Sequence, residues 1–226
     1  MSMLIALEGN ECSGKSTVLC LLKELLENDG NSVAVFREPG GTVAGEDIRS
    51  IILDNLYKET INGRTEAYLY AASRSELVEK RILPSLKTCD YVLLDRYYYS
   101  SIVWQGVIRG LGIPLIESLN APFMKEARPD LAIFLDISEE ERLRRMAMRV
   151  GKHDRLDNEP LELLSRLDTA YREMVQRYPE FKVVSAEGPV EIVAARCLDM
   201  IRKTGEGNSS TGCSNDNGCP SCRRNK

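Results

Sequence analysis

The chain has 226 residues, 43% hydrophobic and 28% charged, with a net charge of −4, which suits one α/β domain with a full core and disfavours a broad nucleic-acid-binding surface. No apolar run is long enough to span a membrane, and the short apolar start lacks the basic stretch of an export signal, so it is expected to be a strand. Seven cysteines, an odd number, then predict reduced thiols in a cytoplasmic setting, and the single histidine, His153, excludes any mechanism that needs a histidine pair.

Met3 to Leu7 reads as a buried strand, and Val18, Leu19, Leu22, Leu25 and Leu26 follow at helical spacing as the buried face of a helix. Between them lies Gly9-Asn10-Glu11-Cys12-Ser13-Gly14-Lys15-Ser16-Thr17, which fits the phosphate-loop pattern of two glycines followed by Lys and Ser. The glycines let backbone N–H groups turn toward an anion, and the helix N-terminus adds the positive end of its dipole. In that pattern Lys15 reaches the β- and γ-phosphates of a nucleoside triphosphate and Ser16 ligates Mg²⁺.

The first helix is expected to stop near Asn28-Asp29-Gly30, before a second strand over 32–36. The breaker-rich Arg37-Glu38-Pro39-Gly40-Gly41-Thr42 follows, then an amphipathic segment over 44–53 and a helix over 66–83 stopped by Pro84. Further strands are predicted at 91–94, 131–136 and 182–184, with helical segments from Ser100 to Arg128, at 139–149, 161–178 and 190–202, and a polar break at 152–158. Strands alternating with helices predict a parallel five-stranded sheet covered on both faces, with ligands at the carboxyl ends of the strands.

Asp95 closes the third strand, where an acidic residue can hold Mg²⁺ directly or through water; the plainer alternative is a helix cap or a pair with Arg96. Arg37 and Arg96 lie at strand ends, where planar guanidinium groups suit a phosphate, or serve as surface ion pairs worth about 0–1 kcal/mol. Tyr70 and Arg74, four residues apart, share a helix face that could stack a base and read its carbonyl edge. Tyr97, Tyr98, Tyr99 and Trp104 form an aromatic cluster divided between core and pocket. Arg142, Arg144, Arg145 and Arg149 sit on a charged helix and are expected mostly in solvent, although a lid there could bring one or two arginines onto a transferring phosphoryl group.

Taken together, the phosphate loop, the 37–42 motif, Asp95-Arg96-Tyr97 followed by Ser100 and Gln105-Gly106, and Arg128-Pro129-Asp130 leading into Leu135-Asp136 resemble the thymidylate kinases, over about residues 3–203. The resemblance implies the three-layer phosphate-loop nucleoside monophosphate kinase fold, ATP-dependent phosphorylation of dTMP with Mg²⁺, and a homodimer. It implies that Glu11 meets the deoxyribose 3′-OH and helps order the metal site. Arg37 and Arg96 would grip the dTMP phosphate, with Ser100 and Gln105 in the same site. Tyr70 would stack on thymine, where the family usually has Phe, and Arg74 would read the base. Trp104 stands where bacterial members usually carry Tyr, near C2′, and Tyr171 would close over the nucleoside. Because Cys12 occupies the phosphate-loop position where some members have an arginine, the bacterial-type arrangement is implied, with the lid arginines Arg149 and Arg155 in the catalytic role beside Lys15. The lid aligns with the common family form only after a shift of one residue.

From Thr204 onward the composition is polar, so the domain is expected to end near Lys203, with residues 204–226 a disordered tail. Cys213, Cys219 and Cys222 include a Cys-Pro-Ser-Cys half that looks like a zinc knuckle, with Cys197 or a second chain as a source of the fourth ligand; free thiols are the competing expectation. The alternatives to dTMP phosphorylation are another nucleoside monophosphate acceptor, such as dUMP or UMP, and an idle nucleotide-binding protein with a metal-binding tail.

Overall fold

The computed structural model describes residues 2–57, 60–148 and 161–210. Five parallel strands, β1 (Met3–Glu8), β2 (Val33–Arg37), β3 (Tyr91–Asp95), β4 (Leu131–Asp136) and β5 (Phe181–Ser185), line up in the order β2-β3-β1-β4-β5. Side chains alternate across a strand, so each strand feeds two cores. Ile5, Leu7, Leu93, Ile133 and Leu135 face α1 (Lys15–Asn28) and α9 (Val190–Ser210), meeting Leu22, Val193 and Ile201. Leu4, Ala6, Val92, Leu94 and Phe134 face the other way, toward α3 (Gly63–Leu77), α6 (Ile113–Glu126) and α8 (Leu161–Arg177), meeting Ala67, Ile116 and Met174. The expected three-layer α/β fold is the one observed, with β1 central and the phosphate loop at its carboxyl end.

Several element boundaries differ from expectation, each for a local reason. Leu25 is 37% exposed because it flanks the stripe of Val18, Leu22 and Leu26 that meets the sheet. α3 begins at Gly63, not near Glu66, because Asn62 caps it by accepting from the Thr65 N–H at 3.0 Å. Pro84 does not stop the helical run. A π-helical turn over Val78–Ile82 leads into α4 (Leu83–Ser85), and the proline sits in its first turn, where a missing N–H costs little. Thr42 caps α2 (Val43–Leu53) in the same way as Asn62.

α9 runs past its expected end at Arg202, to Ser210. The Lys203–Asp199 ion pair at 2.6 Å and the Thr204 hydroxyl donating to the Met200 carbonyl at 2.9 Å support the helix as far as Thr204, and extending an existing helix costs far less than nucleating one. Residues 204–210 continue the helix of α9. Cys197 is fully buried in the core between α1, α9 and the sheet, and burial pushes its thiol up to about 12, so it is not placed to be the fourth ligand of a zinc site. Cys213, Cys219 and Cys222 lie outside the described residues.

Candidate active site

The phosphate loop runs from the end of β1 to Gly14, whose φ of 89° suits glycine. Cys12 and Arg96 hold left-handed backbone, with φ of 58° and 68°, which side-chain-bearing residues rarely adopt, and both border the main cavity. Lys15 is 9% exposed and its ammonium donates to the Gly9 carbonyl at 3.0 Å and the Asn10 carbonyl at 2.9 Å. Burial, and then the neighbouring Arg96 charge, lower its pKa to about 7. The Ser16 hydroxyl donates to Asp95 at 2.8 Å, so two oxygen donors stand side by side at the end of β3. Glu11 lines the same space. Among the described residues no cluster of three or more His, Cys, Asp or Glu side chains forms a metal cage. Mg²⁺ does not require one, since it is commonly held by one or two protein oxygens together with phosphate and water, and Ser16 with Asp95 fits that requirement.

The main cavity, of about 480 Å³, brings together Lys15, Arg37, Arg96, Tyr70, Arg74 and Gln105, together with Ser100 and Trp104. At its phosphate-loop end Arg96 donates to the Ser100 hydroxyl at 3.2 Å and to the Tyr171 hydroxyl at 3.3 Å. Arg37 is half-exposed and paired with Glu46 at 2.7 Å. Arg49, absent from the sequence reading, borders the cavity as a fourth arginine and donates to the Pro39 carbonyl at 2.9 Å. Tyr171 does not line this space. It is fully buried, stacked on Phe134 at 4.8 Å, with its hydroxyl 3.0 Å from Ser100.

Arg74 is 1% exposed, which a charge tolerates only when paired. It donates to Glu38 at 2.8 Å, Asn120 at 2.5 Å and Ser101 at 3.1 Å, and its guanidinium lies 5.8 Å from the centre of the Tyr97 ring. Burial, opposed by Arg74, pushes Glu38 up to about 7. Gln105 is 2% exposed; its amide N–H donates to Glu66 at 2.8 Å, and its carbonyl oxygen has no partner. Of the aromatic cluster, Tyr97 and Trp104 reach the cavity, while Tyr98 and Tyr99, in the short helix α5 (Tyr98–Ser101), belong to the core.

Beneath the arginines lies Glu8, which sequence reasoning missed because it appears only as the polar end of an apolar run. It is fully buried, accepts from the Tyr97 N–H at 2.8 Å and the Ser100 hydroxyl at 2.5 Å, and burial raises its pKa.

A second cavity, of about 430 Å³, lies on the other side of the phosphate loop and is bordered by Arg144, Arg145, Gly188 and Val190. The expectation that the arginines of α7 (Glu139–Met148) are mostly solvated fails for two of them. Arg145 donates to the Ala186 carbonyl at 2.9 Å and approaches the Cys12 carbonyl at 3.4 Å. Arg142 is fully buried and donates to Asp168 of α8 at 2.9 Å; Asp168 in turn accepts from the Asn10 side chain. Desolvation of the half-buried Asp168 raises its pKa, while Arg142 acts in the opposite sense. Arg149, Arg155 and His153 lie outside the described residues.

A family model described as thymidylate kinase matches residues 7–197. The chain belongs to the thymidylate kinase family. A thymidylate kinase of Caldicellulosiruptor saccharolyticus is 41% identical over 197 residues, covering 87% of this chain and 94% of the relative. A thymidylate kinase of Kosmotoga olearia is 39% identical over 210 residues, 91% of this chain and 100% of the relative. The crystal structure of thymidylate kinase from Ehrlichia chaffeensis superposes with a TM-score of 0.69 at 26% identity, covering 88% of this chain and 98% of that one. The stretch matched by the thymidylate kinase model runs from the end of β1 into α9, so the residues described around both cavities lie within it.

Two predictions follow from the buried charges of this thymidylate kinase chain. Asp168→Leu strands Arg142 and is expected to destabilise the fold by about 3–5 kcal/mol, whereas the double variant Arg142→Met/Asp168→Leu recovers most of that loss, as read by chemical denaturation. The free Lys15 titrates near 7, below the 10.5 of an unfolded chain, so between these values the unfolded state binds more protons and this group's contribution to stability rises with pH. A polyphosphate beside the ammonium reverses the shift. At about pH 8, binding of ATP is expected to take up close to one proton, measured by calorimetry in buffers of different ionisation heat, and Lys15→Met is expected to abolish that uptake.

Proposed function

We propose that the two cavities hold the two nucleotides of one phosphoryl transfer, from ATP to dTMP, giving ADP and dTDP. The carrying observation is that Cys12, Gly14 and Thr17 border both cavities, so a triphosphate wrapped by the loop has its outer phosphate facing the acceptor space. The donor base then occupies the cavity beside Arg144 and Arg145. Asn10, Cys12, Ser13, Gly14 and Lys15 wrap the phosphates, with Gly9 and Thr17 at the two ends of the loop.

In the acceptor cavity Arg37, Arg49 and Arg96 hold the monophosphate. Tyr70 stacks on the base, Arg74 and Gln105 address its polar edge, Trp104 crowds C2′ and Glu11 meets the 3′-OH. Tyr171 acts from below, through Ser100 and Arg96, as a positioning residue. An oxygen of the acceptor phosphate attacks the γ-phosphorus, and the bond to the β,γ-bridging oxygen breaks, its electron pair leaving with ADP. The attacking oxygen is already anionic, which is consistent with a chain holding one histidine. Ser16 and Asp95, with Glu11 nearby and partly through water, would hold Mg²⁺, which would supply neutralisation of the developing phosphate charge. Lys15 steadies the β- and γ-phosphates, and Arg149 and Arg155 supply further positive charge to the transferred group.

We also infer a cytoplasmic setting, in keeping with the thiols of Cys20, Cys89 and Cys197, which form no disulfide among the described residues, and a homodimer. The dimer reading rests on Val43, Leu56 and Tyr68, which are 85%, 73% and 55% exposed on α2, the turn after it and α3. Sedimentation of Tyr68→Glu is expected to show monomer where the parent chain shows dimer.

The reaction is tested by ADP release with ATP, Mg²⁺ and a panel of nucleoside monophosphates. Turnover strongest with dTMP and lost in Lys15→Ala is expected; equal turnover with UMP would discard the base and sugar assignments. In the same assay Arg149→Ala or Arg155→Ala is expected to lower kcat by about 10³-fold or more with little change in dTMP affinity, and unchanged kcat in both would remove the lid arginines from the mechanism.

A further inference from the structure

Gln105 borders the acceptor cavity with a side chain that can face it in two ways, as a donor or as an acceptor. The neighbour behind it removes the ambiguity. Glu66, in the first turn of α3, is 2% exposed and does not border the cavity; its carboxylate accepts from the Gln105 amide at 2.8 Å. A carboxylate offers only acceptors, so the NH₂ end of Gln105 must turn toward it. Rotating the amide by half a turn would set two acceptors against each other at hydrogen-bond distance in a buried place. Arg109 stands 3.6 Å from the same carboxylate and supports its charge. The remaining pole of Gln105, its carbonyl oxygen, is buried and has no partner.

We propose that Glu66, supported by Arg109, is a specificity-positioning residue: it locks the Gln105 amide so that the acceptor cavity presents a hydrogen-bond acceptor to the base. The matching group is a ring N–H, as in the imide of a pyrimidine dione. Cytosine carries an unprotonated nitrogen at the same ring position, and two lone pairs would meet there. A buried polar group left unpaired costs enough to decide between ligands of similar size, and the contribution of the thymine methyl, which cytosine lacks, is common to parent and variant and cancels when their preferences are compared. The inference deepens the reading of this cavity as a nucleoside monophosphate site and rests on it.

Glu66→Gln tests it. The new side chain can donate or accept, so the Gln105 amide is no longer locked. The kcat/KM and dissociation constant for dTMP, and the dissociation constant for dCMP, are measured for the parent chain and the variant. The preference for dTMP over dCMP in binding is expected to fall by about ten-fold or more, with dTMP weakened and dCMP strengthened, while the KM for ATP is unchanged. The exchanged pair Glu66→Gln/Gln105→Glu restores a fixed polarity, with a donor behind and an acceptor in front, and is expected to regain the preference. This double variant is informative by itself if the single one does not fold. A preference within about two-fold of the parent in Glu66→Gln, an equal loss for both ligands, or an exchanged pair that folds and does not prefer dTMP would each overturn the inference. A parent chain that neither binds nor phosphorylates dTMP would overturn the functional reading itself, a different outcome from active enzyme with an unmoved preference.

Discussion

Glu8 is the carboxylate on which the geometry of the phosphate-facing end depends. It ends the central strand, where the sheet would otherwise run out into a loop, and it has no exposed surface. Burying such a group is unfavourable unless its oxygens are satisfied, and here they are satisfied by the Tyr97 N–H and the Ser100 hydroxyl from the turn after β3, with the Tyr171 hydroxyl of α8 at 3.5 Å. Arg96 sits within that turn, in a backbone conformation that would not persist without support on both sides. One buried carboxyl group therefore ties β1, the end of β3 and α8 into a rigid floor, and Arg96 stands on it.

The same logic recurs at the other buried charges. Arg74 is held by Glu38, Asn120 and Ser101 from three separate stretches of chain, and Arg142 is held by Asp168, which also reaches Asn10 of the phosphate loop. Such pairs add little net stability over an apolar replacement, but leaving one partner behind is costly, so they fix position more than they add cohesion. In this chain they fix the phosphate loop and one wall of the main cavity.

What could be read from the sequence was what is local. The strand, glycine loop and helix at the start declare themselves through period and spacing within a few tens of residues, and the five strands alternate with helices plainly enough to give a parallel sheet. What could not be read depends on contacts distant in sequence. Asn10 and Asp168 are 158 positions apart, and nothing along α8 marks the aspartate as different from its charged neighbours. Arg142 sits in a run that reads as a solvated face, and its burial becomes visible only once α7 and α8 are packed. Pro84 misled for the opposite reason: its local rule is sound, but a widened turn before it removes the conflict. Gln105 was legible as a single residue in a family pattern, but its pairing with Glu66, 39 positions earlier, and the direction of that pair were not.

Before any anion arrives, basic side chains that line the main cavity are already engaged. Lys15 rests on carbonyl oxygens of its own loop, and Arg37 rests on Glu46. Ligand entry is therefore an exchange of oxygen partners rather than a capture by open charge. An incoming anion must offer more than the contacts it displaces. Singly charged ions common in solution meet that condition poorly, while a polyphosphate with several oxygens meets it at many points at once. The resting contacts thus act as a threshold, making the site quiet toward the ordinary salt around it and responsive to densely charged phosphate chains.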